Sequence, residues 1–594
     1  MGARPDEQGT SFRVWAPHAS AAWVHGTFND WAEPGLSLAR DPADPAASGW
    51  PGTWSADVLG VRSGSEYRYR LQTSTGVLSR IDPYARQVTS SIGNAVVYDP
   101  AAFDWGAGRF EMPGWNDIVI YEMHIGTFGA HGDRPGTFDR AIRRMGYLQQ
   151  LGIGAIQVMP PFEYAGDVSW GYNPAHIFAI ESSYGGPDAF KRFVRAAHEH
   201  GIAVIVDVVY NHLGPGDLDL WRFDGWAEGD WGGIYFYNDE RAVTPWGKTR
   251  PDFGRGEVRT FLRDSALTWL EEFQADGLRF DSTLYIRTVD ESPETALPDG
   301  WSLMAWINDE IRIRQPWKLT IAEDLGDPAL ITVPTGEGGA GFSARWDTGF
   351  LAVVRTALIV GDDSERDVGS IAGALLAGGD QPFSRVIYTE SHDDVANGHV
   401  RLAEAVAPGD AANWFARKRA TLGSAITLLA PGIPMLFQGQ ELLEDRWFDD
   451  TLPIDWSKSD RFAGILQLHR DLIAARRNMS GWSAGLQGSN TTILRADEET
   501  KLLAWHRWSS GGPGDDVVIV ANLSTLPIVD VALGLPRAGR WHVRINSDST
   551  VYDEQFGASI ADDVEADGGP LDEQARSGLI SVAPYAVVVL SQDD

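Results

Sequence analysis

The chain has 594 residues, with 82 acidic against 49 basic side chains, a formal net charge of −33, 24 tryptophans and no cysteine. Such a length calls for two to four domains rather than one, and the charge disfavours nucleic acid and anionic membranes as partners. The missing thiols exclude disulfides, thiolate metal sites and cysteine nucleophiles. Hydrophobic residues at 43% and charged residues at 22% are ordinary globular values. An acidic surface serves solubility and defines no substrate, whereas flat aromatic rings, those not spent on cores, can stack on the faces of sugars. Met1-Gly2-Ala3-Arg4-Pro5-Asp6 lacks the apolar core of a signal peptide, and no segment reaches the apolar length of a membrane helix. A cytoplasmic protein without membrane attachment is expected.

In chain order, the first hundred residues alternate apolar and polar positions in short runs, as in Thr10-Ser11-Phe12-Arg13-Val14-Trp15 and Glu66-Tyr67-Arg68-Tyr69-Arg70-Leu71, separated by Gly, Pro and Asp clusters. This pattern predicts a small β-sandwich over residues 1–112. From residue 113 to 478, short β-branched runs alternate with amphipathic helices, the pattern of repeated βα units around a parallel sheet. Eight strands are predicted, at 118–125, 155–160, 203–210, 277–281, 319–323, 344–347, 385–390 and 433–438, which implies a closed (β/α)8 barrel. Between them, Phe190, Phe193, Val194 and Ala197 recur at helical spacing within a helix at 189–199, and a second helix at 261–273 precedes the fourth strand. After a helix at 462–477, short alternating strands return, at 502–508, 516–521 and 586–590, so that 479–594 is read as a terminal all-β domain. No internal repeat or long low-complexity segment interrupts this order.

In a barrel of this kind the chemistry sits where the strands end and their loops converge. Asp207 in Asp-Val-Val-Tyr-Asn-His, Asp281 in Gly-Leu-Arg-Phe-Asp, Glu323 in Ile-Ala-Glu-Asp and Asp393 in Glu-Ser-His-Asp each end or follow an apolar run. Any one of them alone is best explained as a helix cap or the partner of an arginine. Several at one mouth, together with His212, His392 and Arg279, would desolvate many ionisable groups at several kcal/mol per unpaired ion, roughly, which points to a site.

These ordered segments resemble the short motifs of the α-amylase superfamily, glycoside hydrolase family 13, over residues 118–441. Residues 12–29 with Trp31 resemble the carbohydrate-binding module that precedes branching and debranching enzymes. The resemblance implies a retaining α-glucan-active enzyme: Asp281 as nucleophile, held ionised by Arg279 two residues earlier on the same strand face, Glu323 as general acid/base, and Asp393, with His392 beside it, as the third acid that binds sugar hydroxyls. It also implies sugar contacts for His212 and Tyr172, a supporting role for Asp207 and Asn211, and an α-glucan or maltooligosaccharide as partner. No calcium or other metal and no cofactor is expected, since two carboxylates suffice for glycosyl transfer without redox or carrier chemistry. A monomer or weak oligomer is expected.

The same carboxylates serve hydrolysis and transfer. Ile81-Asp82-Pro83-Tyr84-Ala85 and Tyr388-Thr389-Glu390-Ser391-His392-Asp393 resemble glycogen branching enzymes, the preferred reading. Tyr121-Glu122-Met123-His124-Ile125-Gly126-Thr127-Phe128, Ile156-Gln157-Val158-Met159-Pro160 and the segment 207–215 resemble maltooligosyl trehalose trehalohydrolase, a hydrolase. A third reading is a glucan-binding protein without activity, against which the complete set of acids argues. Trp447 and Phe448, beyond the eighth strand, are expected to form an acceptor-side aromatic platform.

Overall fold

Eight parallel strands, Ile120–Met123, Ala155–Val158, Ala203–Val208, Gly277–Phe280, Leu319–Ala322, Ala344–Trp346, Arg385–Ile387 and Ile433–Phe437, pair in order, and the last closes on the first to make a barrel. The structure is a computed structural model that describes residues 1–42, 50–130, 134–326, 329–557 and 561–593. Helices cover the outside of the barrel and side chains fill its inside, so the strands are apolar on both faces; every residue of Ala203–Val208 is buried. Ile120, Ile205, Ile321, Val386 and Met435 plug the interior. The surrounding helices present the expected stripes, with Phe190, Phe193, Val194 and Ala197 buried on Gly186–Glu199. Burying one such side chain stabilises the fold by about 1.5–3 kcal/mol.

All eight expected strands are present, and each ends slightly before its predicted limit. The acids sit at the last rungs of the ladder: Asp207 is still paired with Arg279, and the Asp281 and Glu323 N–H groups donate to the Val208 and Phe280 carbonyls at 2.9 and 3.0 Å before the chain leaves for the loops at the mouth. The sixth strand shows the other use of a strand-end acid. Asp347 accepts from the Phe350 N–H to cap the helix Thr348–Ile359, and it pairs with Arg385 at 2.7 Å.

The N-terminal strands form an eight-stranded antiparallel sheet. Phe12 on Gly9–Trp15 and Tyr67 on Glu66–Thr73 lie on strands that are not neighbours, yet their rings meet at 5.0 Å, so the sheet folds over onto itself as a sandwich. This unit grips the loop after the third barrel strand: Arg68 pairs with Asp219 at 2.9 Å, Arg80 Nε donates to the Phe223 carbonyl at 2.8 Å, and His18 stacks on Trp226. At the other end of the chain, a six-stranded sheet and the pair Ile528–Leu535 with Arg576–Val582 make the all-β C-terminal region. A fully buried ion pair, Lys418 with Asp548 at 2.7 Å, ties it to the barrel helix Trp414–Leu429.

Candidate active site

Strand register brings the acids together. Ile205 lies beside Gly277, and Gly277 beside Leu319; two residues on, Asp207 lies beside Arg279, and Arg279 beside Ile321. Side chains alternate along a strand, so Asp207, Arg279, Asp281 and Glu323 share the inward face of Ile205, Leu319 and Ile321 and emerge at the C-terminal rim.

Arg279, fully buried, is the hub. Its Nη1 donates to Asp207 Oδ1 and Oδ2 at 2.9 and 2.7 Å and to Asp281 Oδ1 at 2.9 Å. Its Nη2 lies 2.8 Å from Glu323 Oε2, an ion pair without the alignment of a hydrogen bond. The Trp346 ring packs 4.4 Å from the guanidinium carbon. One cation therefore faces three carboxylates that are almost wholly buried, an arrangement in which not all of them can ionise cheaply. Burial pushes Glu323 up to about 8; Arg279 pulls the other way, and the negative charges of Asp281 and Asp393 add to the rise. Burial also raises Asp207, to about 6, against the pull of Arg279.

Each acid is held by particular donors. Asn211 Nδ2 donates to the Asp281 carboxylate at 2.7 Å and to its backbone carbonyl at 2.8 Å. The Ser282 N–H donates to Glu323 Oε2 at 2.8 Å. Ser282 has φ 39°, in the left-handed region, a conformation whose strain of about 1–3 kcal/mol is characteristic of functional sites. Tyr172 Oη donates to Asp207 Oδ2 at 2.7 Å.

The other wall of the rim is built around His392. Its backbone N–H donates to Glu122 Oε2 at 3.0 Å, its Nδ1 lies 2.7 Å from Glu122 Oε1, and its Nε2 lies 3.3 Å from Asp393 Oδ2. Burial opposes a charge on this imidazole, but Asp393 and Glu122 outweigh it and bring the ring up to about 10, so His392 is a cation at neutral pH. It stacks on Tyr172 with centroids 5.0 Å apart. Asp393, with a side chain 51% exposed, is the acid of the set that reaches solvent. His212 lies under Trp246, with rings 4.6 Å apart, and its Nε2 meets the Tyr172 carbonyl at 2.9 Å. Burial lowers His212 to about 4, which keeps it neutral.

Asp207, Asp281, Glu323, Asp393, Arg279, Asn211, His212, His392 and Tyr172, singled out from the sequence, thus meet at one rim. Three contributors were not foreseen there. Glu122 falls on the inward face two residues after Ile120, a parity readable in the first strand, and it adds to the pull of Asp393 that keeps His392 charged. Trp346 and Trp246 cover Arg279 and His212, and nothing in the local pattern marks them. The expected aromatic pair beyond the eighth strand divides. Phe448, 4% exposed, packs with Met159, Val395 and Phe437, because it points back beneath Trp170, whereas Trp447 stays 51% exposed.

Comparison with known proteins agrees with this layout. The family model of the alpha amylase catalytic domain matches residues 110–218, that of carbohydrate-binding module 48, the isoamylase N-terminal domain, matches 1–85, and that of the alpha amylase C-terminal all-beta domain matches 493–593. The chain is 30% identical over 631 residues to the 1,4-alpha-glucan branching enzyme GlgB of Pseudoalteromonas atlantica, covering 99% of this chain and 82% of that protein. It is 30% identical over 639 residues to the protein of the same name from Dechloromonas aromatica, covering 100% of this chain and 97% of that one. Among solved structures, pullulanase of Anoxybacillus sp. LM18-11 complexed with maltotriose superposes with a TM-score of 0.78 at 22% identity, covering 100% of this chain and 85% of that one. The last likeness bears on the fold alone.

Proposed function

Because this chain belongs to the α-amylase superfamily, glycoside hydrolase family 13, we propose that it is a 1,4-α-glucan branching enzyme that moves an α-1,4-glucan segment to a 6-hydroxyl through a glycosyl ester on Asp281. The observation that carries the chemistry is the sharing of Arg279 by Asp281 and Glu323, with Glu323 brought up to about 8. Glu323 thereby keeps a proton to give beside the carboxylate that attacks, and a single guanidinium spans both, as suits the roughly 5–5.5 Å spacing of retaining enzymes. The choice of branching rests on relatives of that name aligned over nearly the whole chain.

In the first step Asp281 attacks the anomeric carbon of an α-1,4-linked chain while Glu323 passes its proton to the departing 4-oxygen. The glycosidic bond breaks, an ester to Asp281 forms, and Glu323 is left as a carboxylate. In the second step that carboxylate removes the proton from an incoming 6-hydroxyl, whose oxygen displaces Asp281 and forms the α-1,6 link. Asp393, half exposed beside the His392 cation, is placed to hold sugar hydroxyls as positive charge develops on the ring.

The test incubates the protein with amylose and follows reducing ends and α-1,6 linkages by proton NMR, with Asp281→Ala as control. New α-1,6 signals with few new reducing ends, lost in the control, are expected. A hydrolase of the maltooligosyl trehalose trehalohydrolase type is the second reading, favoured by the Asn211 carboxamide bound to Asp281. It would replace the first if reducing ends rise without branch signals and trehalose is released from maltooligosyl trehalose.

A further inference from the structure

The end of the barrel opposite the acids carries a groove of about 1090 Å³, walled by the segment 105–112 and by the turns that lead into the third, fourth and fifth strands. Three rings line it. Phe110 lies flat against His198 with centroids 4.0 Å apart, Trp105 is half-buried, and Trp317, on the turn before the fifth strand, is 60% exposed. An indole left open to water contributes little to folding, so stability does not account for Trp317. Beside it, Gln315 Oε1 is a buried acceptor without a partner, a state that a ligand hydroxyl would relieve.

The charges of the wall are largely spent on one another. Asp276 is paired with His198 at 2.8 Å and Lys318 at 3.5 Å, Glu271 with Arg314 at 3.1 Å, and Arg195 with Glu199 at 3.8 Å. Pairing of this kind removes the single-sign field that would select an ion. Arg109 and Glu111, exposed on the segment 105–112, are of opposite sign and leave no net charge, so the groove offers flat rings with hydrogen-bonding groups around them, the chemistry that fits a pyranose, apolar on its C–H face and hydroxylated at its edge. The volume lies just above the range of roughly 300–1,000 Å³ for small-ligand sites, which suits several linked rings better than one.

We propose that this groove is a second α-glucan-binding site, remote from the carboxylates, in which Trp317 stacks on a stretch of polymer that is not reacting. The proposal rests on the reading that the enzyme acts on α-glucan. Holding a long chain at the base raises its effective concentration at the mouth, so the groove serves polymer and is idle with chains too short to reach both ends.

The test is affinity electrophoresis in native gels containing amylopectin, for the wild type, Trp317→Ala, Trp105→Ala/Trp317→Ala and Trp317→Phe, with turnover of amylose measured on the same preparations and folding checked by thermal melting. Truncation of a central aromatic anchor should weaken retention roughly fivefold or more, raise KM for amylose and leave kcat unchanged, and Trp317→Phe should recover most of the loss. Retention of the double variant equal to that of the wild type overturns the groove, and turnover that persists in that case leaves the branching reading intact. Retention that depends on Trp317 in a protein that never forms α-1,6 links supports the groove and removes the branching reading. No retention of the wild type overturns the groove outright.

Discussion

The two ends of the fourth barrel strand treat buried charge in opposite ways. At the base, the Asp276 carboxylate accepts from the Val204 N–H at 2.8 Å, meets His198 at 2.8 Å and lies 3.5 Å from Lys318. At the mouth, only three residues later in the chain, Arg279 is shared by Asp207, Asp281 and Glu323. Basic partners outnumber the acid at the base, and acids outnumber the base at the mouth. A fold left to its own stability arranges buried acids as it does at the base. Burial, with the deficit of positive charge at the mouth adding to it, keeps a proton on Glu323, an arrangement that stability alone does not favour.

Removing the hub should separate the two ends most sharply. Arg279→Met leaves three buried carboxylates facing one another, and breaking a buried ionic cluster from one side costs about 3–5 kcal/mol. Turnover should fall at least about a thousandfold, since the proposed nucleophile and the proposed acid lose their shared anchor together. Denaturant unfolding and an amylose assay on one preparation check both effects. A stable Arg279→Met protein would show that the mouth carries no electrostatic deficit.

A smaller and purely structural effect is expected at the base. In Asp276→Asn the Val204 N–H keeps an acceptor, while His198 and Lys318 lose their counter-charge. The protein should lose about 1–3 kcal/mol of stability, with kcat on maltoheptaose unchanged because the site lies at the other end of the strand. A large fall in kcat with stability preserved would reverse the assignment of the two ends.

How much of this was legible in the sequence follows from which interactions are local. The eight strands could be placed because each is a continuous apolar run bounded by turns, and Asp207, Asp281 and Glu323 because each stands at the end of such a run. Asp347 stands in an equivalent position and is a helix cap paired with Arg385; position alone does not distinguish it, and only the family resemblance set it apart. Glu122 lies on the first strand and His392 beyond the seventh, and their pairing needs the closure of the barrel, a contact across 270 residues. The covering rings Trp346 and Trp246 were hidden for the same reason. Phe448 and Trp447 are adjacent in the chain but point apart, because the backbone turns back over Met159 and Val395 at that point.

The finest prediction reads the charge deficit directly. In the proposed mechanism Glu323 carries a proton at the start of the reaction, and burial with Asp281 and Asp393 brings it up to about 8, so kcat/KM should fall as pH rises through a limb near that value. Asp393→Asn removes one of the charges that favour the proton. The limb should therefore move to lower pH in the variant, on top of the loss of turnover expected from removing the proposed third acid. The same shift has a stability consequence of fixed sign. An ordinary carboxyl ionises near 4.5 in the unfolded chain, whereas folded Glu323 holds its proton to about 8, so the folded state binds more protons between the two values and loses stability as pH rises across that window. Glu323→Gln has no proton to lose. Its melting temperature relative to the wild type should thus climb from about pH 5 to about pH 8 and level off above, and a gap that stays constant over that range would place the deficit elsewhere than on Glu323.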